Sequence, residues 1–193
     1  MHNGFALVLF VQTHSVLKSI LTASQIDITL HRLAHQIFEQ HPQLSNTVII
    51  GLQPRGIYVS DKIVQLLHGM LPSAEKVPYG KLDITFYRDD VRKQIHIPNH
   101  TNINFSIENK NVVLIDDVLW TGRTIRAAFD ALLDFGRPAK VELCVLIDRR
   151  FSREFPIMPT YIGRTIDTQP NQKVLVRWPN EQEGAVWLAD GTE

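Results

Sequence analysis

Apolar runs alternate along this chain with amphipathic stretches, and the two patterns predict its elements. Ile26, Leu30, Leu33, Ile37 and Phe38 recur at three- and four-residue spacing and predict a helix over about residues 24–40, capped by Thr22 or Ser24. His31, Arg32 and His35 fall on its other face. Thr47–Gly51 carries no charge and predicts a short buried strand, after which Gly51-Leu52-Gln53-Pro54-Arg55-Gly56 turns into an amphipathic helix from Ile57 to about Leu71. The alternation from Val77 to Tyr87 predicts a further strand. Arg88 to Lys110 is polar, contains Pro98 and several Asn, and is too long for an ordinary connector, which predicts a lid or a disordered loop.

The next run is Val112-Val113-Leu114-Ile115-Asp116-Asp117-Val118-Leu119-Trp120-Thr121-Gly122-Arg123-Thr124. Its apolar start predicts a buried parallel strand with its polar chemistry at the C-terminal end, where ligands of open α/β sheets bind. A helix follows from about Gly122 to Phe135 and is broken by Gly136-Arg137-Pro138. A strand follows at Lys140–Ile147. Beyond Asp148 the prolines at 156, 159 and 170 predict irregular chain, then a hairpin of Lys173–Trp178 with Ala185–Ala189 across Asn180–Gly184. Strands alternating with helices give an α/β fold with a mainly parallel central sheet flanked by helices; the C-terminal strands make a small subdomain at one edge.

The turn at Thr121–Thr124 carries the candidate chemistry. Backbone N–H groups at a helix start suit a phosphate, and Gly122 lets the main chain come close to it. Asp116 and Asp117 then suit sugar hydroxyls or the waters of a hydrated Mg²⁺. No G-x-x-x-x-G-K-[ST] and no G-x-G-x-x-G is present, which excludes a Walker A loop and a dinucleotide fingerprint.

Composition narrows the setting. A chain of 193 residues, 44% of them apolar, suits one domain. Its twenty acidic and twenty basic residues cancel, so no overall field recruits nucleic acid or membrane. Gly4–Val11 is apolar, but it is far short of the roughly 20 residues of a spanning helix and has no cleavage site after it. Residues 1–20 are therefore expected to be an N-terminal extension, disordered or laid on the surface as a strand. The single Cys144 reads as a small buried hydrophobe, and a reducing cytoplasm fits.

The string at 112–124 resembles the 5-phosphoribosyl-1-diphosphate (PRPP) signature of type I phosphoribosyltransferases. Leu82-Asp83-Ile84-Thr85-Phe86-Tyr87-Arg88-Asp89-Asp90, Asp134-Phe135-Gly136-Arg137-Pro138, and Val145-Leu146-Ile147-Asp148-Arg149 with the later Tyr161-Ile162-Gly163 sharpen this to a resemblance to the PyrR family, regulators of pyrimidine operons with uracil phosphoribosyltransferase activity. The resemblance implies a type I phosphoribosyltransferase domain over residues 21–193, with a hood formed mainly by about 149–193. It implies uracil and PRPP as substrates, UMP and pyrophosphate as products, and Mg²⁺ carried by the diphosphate with no direct protein ligands.

By the same resemblance Asp116 and Asp117 hold the ribose, and Val118, Leu119, Trp120, Thr121, Gly122, Arg123 and Thr124 complete the PRPP and UMP site. Gln53, Pro54, Arg55 and Gly56 form the pyrophosphate loop, with a cis Gln53–Pro54 bond. Arg88 opens a lid over the leaving group, with Arg92 and Lys93 nearby. Arg149, Tyr161 and Ile162 face the base. Arg32, His35, Arg153 and Arg164 lie where the family binds leader RNA on a dimer face, so a homodimer or higher oligomer is implied. Trp120 replaces the Asp of the purine enzymes and the Tyr usual in PyrR; it has no acceptor and reads as a pocket wall. Two alternatives stay open: an RNA-binding regulator with little turnover, and a transferase for another base.

Overall fold

The computed structural model describes residues 17–72, 74–87, 100–178 and 184–190. Strand β1 (Leu17–Leu21) leads into helix α1 (Ala23–Gln40). Thr22 is its cap: its hydroxyl accepts from Gln25 N at 3.4 Å, while the Gln25 side chain accepts from Thr22 N at 3.0 Å. Ile26, Leu30, Leu33, Ala34 and Ile37 bury one face of α1, as the spacing predicts. Strand β2 (Thr47–Leu52), helix α2 (Gly56–Met70) and strand β3 (Tyr79–Leu82) follow. After these come β4 (Asn111–Leu119), α3 (Arg123–Leu132), β5 (Lys140–Arg150), β6 (Tyr161–Asp167), β7 (Gln172–Arg177) and β8 (Ala185–Asp190).

Five strands form a parallel sheet in the order β3-β2-β4-β5-β6. All six residues of β2 are buried, as expected of a strand covered on both faces. One core cluster gathers α1, α2 and residues such as Val113, Ile115 and Leu146; the other gathers α3, Val112, Leu114 and Val145. The chain leaves β2 toward β3 on one side and β4 toward β5 on the other. That reversal puts a crevice at the C-terminal ends of β2 and β4.

Three expectations are corrected. The strand expected over Val77–Tyr87 ends at Leu82, because the Asp83 carboxylate accepts from Thr85 N at 2.8 Å and Thr85 Oγ1 at 2.6 Å and folds the chain into a short 3-10 turn. Residues 88–99 of the expected lid, with Arg88, Arg92 and Lys93, lie outside the described residues. The remainder of that segment is packed: Asn102 pairs antiparallel with Lys81, and Ile107 is fully buried. Beyond Asp148, β5 continues to Arg150 and β6 adds a fifth parallel strand.

Of the expected N-terminal extension, residues 1–16 lie outside the described residues, while Leu17–Leu21 is a largely exposed strand, one of the two forms expected, and pairs antiparallel with β8 to give a three-stranded sheet β1-β8-β7. β7 and β8 pair antiparallel as expected, in a register that sets Val174 opposite Leu188 and Val176 opposite Val186, while residues 180–183 of the expected turn lie outside the described residues.

Candidate active site

The two acids end the apolar part of β4 in the middle of the sheet. Asp116 is 6% exposed and Asp117 3%. Backbone N–H groups hold one oxygen of each: Asp117 N donates to Asp116 Oδ1, and Val118 N to Asp117 Oδ1, both at 2.8 Å. Arg55, at the start of α2, sets its Nε 3.2 Å from Asp117 Oδ2, at an angle that leaves this buried oxygen without a hydrogen bond among the described residues. Burial first, and then the neighbouring Asp117 carboxylate, hold the Asp116 carboxyl well above the usual carboxylate range.

Close approach of α2 to β4 depends on Gly56. A Cβ there would lie 2.8 Å from the Ile115 carbonyl oxygen and 2.9 Å from Asp116 Cα, so a side chain would push the Arg55 loop off the acids. The Gln53–Pro54 bond is cis. Gln53 also donates through Nε2 to His100 O at 2.8 Å, tying this loop to the far end of the 100–110 segment.

Beyond Leu119 the chain turns through Gly122, whose φ of +90° is one that residues with a Cβ rarely adopt. Gly122 provides no side-chain cap to α3; only Thr121 Oγ1 reaches Arg123 N, at 3.4 Å. The first turn of α3 thus offers N–H groups and its positive dipole end to an open cavity of about 660 Å³. Arg55, Asp116, Val118, Leu119, Trp120, Thr121, Gly122, Arg123, Thr124 and Arg149 all line it. The buried Arg149 donates to Thr168 Oγ1 and Gln172 O, each at 3.0 Å, and its guanidinium lies 4.6 Å from the centre of the Trp120 ring. That ring is 48% exposed and forms a wall.

A phosphate-sized anion can sit on the uncapped turn, and a hydroxyl group can donate to Asp116 beside it, while Asp117 lies buried just behind the cavity wall. A model of the phosphoribosyl transferase domain family matches residues 16–180. The bifunctional protein PyrR of Mannheimia succiniciproducens is 44% identical over 165 residues, 83% of this chain and 90% of that protein. Its Enterococcus faecalis counterpart is 39% identical over 179 residues, 91% and 98% of the two chains. The chain belongs to the PyrR family. Among solved structures, a hypoxanthine phosphoribosyltransferase of Staphylococcus aureus superposes with a TM-score of 0.63 at 22% identity, covering 82% of this chain and 81% of that one. A hypoxanthine-guanine phosphoribosyltransferase of Bacillus anthracis gives 0.65 at 16% identity, covering 92% and 99%. At those identities the likeness is one of fold.

Two residues expected at the base stand elsewhere. The buried Tyr161 opens β6 level with Cys144, and its hydroxyl donates to Glu142 Oε2 at 2.8 Å, back toward the start of β5. The Ile162 carbonyl accepts from Arg32 at 3.2 Å. Neither residue lines the cavity; Lys173, Val174 and Leu175 of β7 do, along with Glu154. Sequence alone does not mark these four, because the docking of the small sheet brings β7 to the crevice and the contacts of Glu154 with Thr121 and Arg123 span some thirty positions.

The arginines expected to face RNA make internal bonds. Arg32 also donates to Gly163 O at 2.6 Å and so covers part of the free edge of β6, and Arg164 donates to Ile20 O at 2.8 Å. Arg153 is turned inward among the main-chain carbonyls of the site. His35 is exposed, with Nδ1 2.7 Å from His31 O. Among the described residues no group of three or more His, Cys, Asp or Glu could hold a metal ion, and no helix is long and apolar enough to cross a membrane.

Proposed function

We propose that this protein converts uracil and PRPP to UMP and pyrophosphate, and that UMP-dependent binding of pyrimidine-leader RNA gives it a regulatory role. The observation that carries the reading is the buried Asp117 Oδ2, an acceptor without a hydrogen bond, beside an uncapped glycine-opened helix at the sheet's switch point. Such an oxygen suits a ribose hydroxyl or a metal-bound water. Mg²⁺ carried by the diphosphate would neutralise the leaving group. Departure of pyrophosphate from the anomeric carbon leaves an oxocarbenium-like centre, so the protein's work is positioning, charge neutralisation and exclusion of water. Arg55 and its loop take the pyrophosphate, and the Thr121–Thr124 turn takes the 5′-phosphate. Trp120 and Arg149 wall the base.

Turnover with PRPP and Mg²⁺ is to be compared for uracil, orotate, hypoxanthine and guanine; uracil is expected to lead by at least about tenfold. A different leading base would keep the site and change the substrate.

The regulatory half follows the PyrR family's role and implies a cytoplasmic homodimer or higher oligomer. With Arg32, Arg153 and Arg164 bonded internally, exposed His35 is the cleaner probe. We expect saturable binding of pyrimidine-leader RNA that weakens steeply with salt and falls on His35→Ala, with uracil turnover unchanged. Filter binding checks this, and no saturable binding at low salt would leave an enzyme without the regulatory role.

A further inference from the structure

Residues 153–155 close over the back of the turn from Leu119 to Arg123. Arg153 Nη1 donates to Leu119 O at 3.3 Å, to Trp120 O, and to Arg149 O at 2.9 Å. Its Nε donates to Ile157 O at 3.2 Å, and its Nη2 to the Asp148 carboxylate. Thr121 O accepts from Glu154 N at 2.9 Å and Phe155 N at 3.2 Å. Glu154 also binds the Arg123 side chain, with 2.6 Å to Nε. Three successive carbonyls of the turn are thus held from one side by one short segment. In a planar trans peptide the N–H points opposite its carbonyl. Fixing the carbonyls of Leu119, Trp120 and Thr121 therefore turns the N–H groups of Trp120, Thr121 and Gly122 the other way. Those three residues line the cavity, and Arg153 does not.

We propose that Arg153 is a positioning residue of the transferase site, which shapes the phosphate turn by holding its carbonyls back and so keeps its N–H groups directed at the 5′-phosphate of PRPP. This rests on the reading of that turn as the phosphate site. Exposure agrees, since the side chain of Arg153 is only 22% accessible and that of its partner Asp148 11%. The arginine also ties the turn to the end of β5, so one guanidinium sets the phosphate end and the base end of the cavity against each other.

Steady-state kinetics of Arg153→Met and Arg153→Lys in the full chain test this. Methionine keeps much of the stem and removes every donor; lysine keeps a charge but brings three donors in place of five. For Arg153→Met the KM for PRPP is expected to rise at least about tenfold, with kcat within about threefold and the KM for uracil at saturating PRPP within about twofold. Arg153→Lys should recover part of that loss. A folded Arg153→Met variant that melts earlier but keeps its KM for PRPP would reduce Arg153 to a structural tie and overturn the proposal. If the methionine variant does not fold, the lysine variant decides: a rise of about threefold or more in that KM is expected, and none overturns it. Should the wild-type chain form no UMP, the transferase reading fails separately. Arg153 is then judged by titration with ribose 5-phosphate, where a tenfold weaker affinity in the variant upholds the role and equal affinity, or no binding by the wild type, overturns it.

Discussion

Asparagine at either Asp116 or Asp117 is expected to lower UMP formation at least about tenfold, roughly 1.4 kcal/mol of transition-state stabilisation. In Asp117→Asn the oxygen that holds Val118 N can remain, but an amide replacing Oδ2 donates where a ribose hydroxyl needs an acceptor, and it presents that donor to Arg55 at 3.2 Å. Asp116→Asn should also change stability, in the opposite sense to activity. Burial and then Asp117 raise the Asp116 pKa in the folded chain, so the unfolded chain ionises first as pH rises. The contribution of Asp116 to stability is therefore complete below its unfolded pKa, near 3.9, and is lost as pH rises through the raised folded value. The asparagine variant should melt higher than wild type at pH 8, and the gap should close toward pH 4. Rates near wild type in both variants would remove the acids from the ribose site, and a gap that widens toward acid would contradict the assigned burial effect.

Glu142→Ala is expected to give the largest loss of stability with no direct effect on turnover. Glu142 is 3% exposed at the start of β5, where its Oε2 accepts from Tyr161 at 2.8 Å and lies 2.6 Å from His41 Nε2, while Oε1 lies 2.5 Å from Lys140 Nζ. Burial alone would raise its pKa; bonds from Lys140, His41 and Tyr161 outweigh that and lower it. Removing the carboxylate strands the buried Tyr161 hydroxyl and the His41 imidazole, and leaving two buried polar groups without their partner costs about 3 kcal/mol. For a chain of this size that is a fall in melting temperature of about 6–12 °C. Because the pKa of Glu142 is lowered on folding, its contribution is present above the unfolded pKa and is lost as pH falls through the folded value. The difference between wild type and variant, followed by thermal melts, should therefore shrink in acid. A variant that melts like wild type at pH 7 would make the cluster a surface feature.

The acids and the glycine turn after them were legible because they are contiguous: one apolar strand, two carboxylates and one glycine turn specify the local geometry. The rest depended on contacts far apart in sequence. Arg153 reaches Leu119 across 34 positions, and nothing local distinguishes it from a surface arginine. Strand β6 is not legible in the sequence because it is an edge strand with only Tyr161 buried, so no apolar run marks it. The family resemblance puts Tyr161 at the base, yet its hydroxyl donates to a carboxylate near the other end of the sheet. The long alternation at 77–87 was misleading at Asp83, whose side chain takes over the hydrogen bonding that would have continued a strand.

The most direct test of the central claim is product formation by the wild-type chain given uracil, PRPP and Mg²⁺, with UMP and pyrophosphate measured in the same samples. Equimolar products are expected, formed at least about tenfold more slowly by Asp117→Asn. No UMP above the rate of that variant, or pyrophosphate released without UMP, would contradict it.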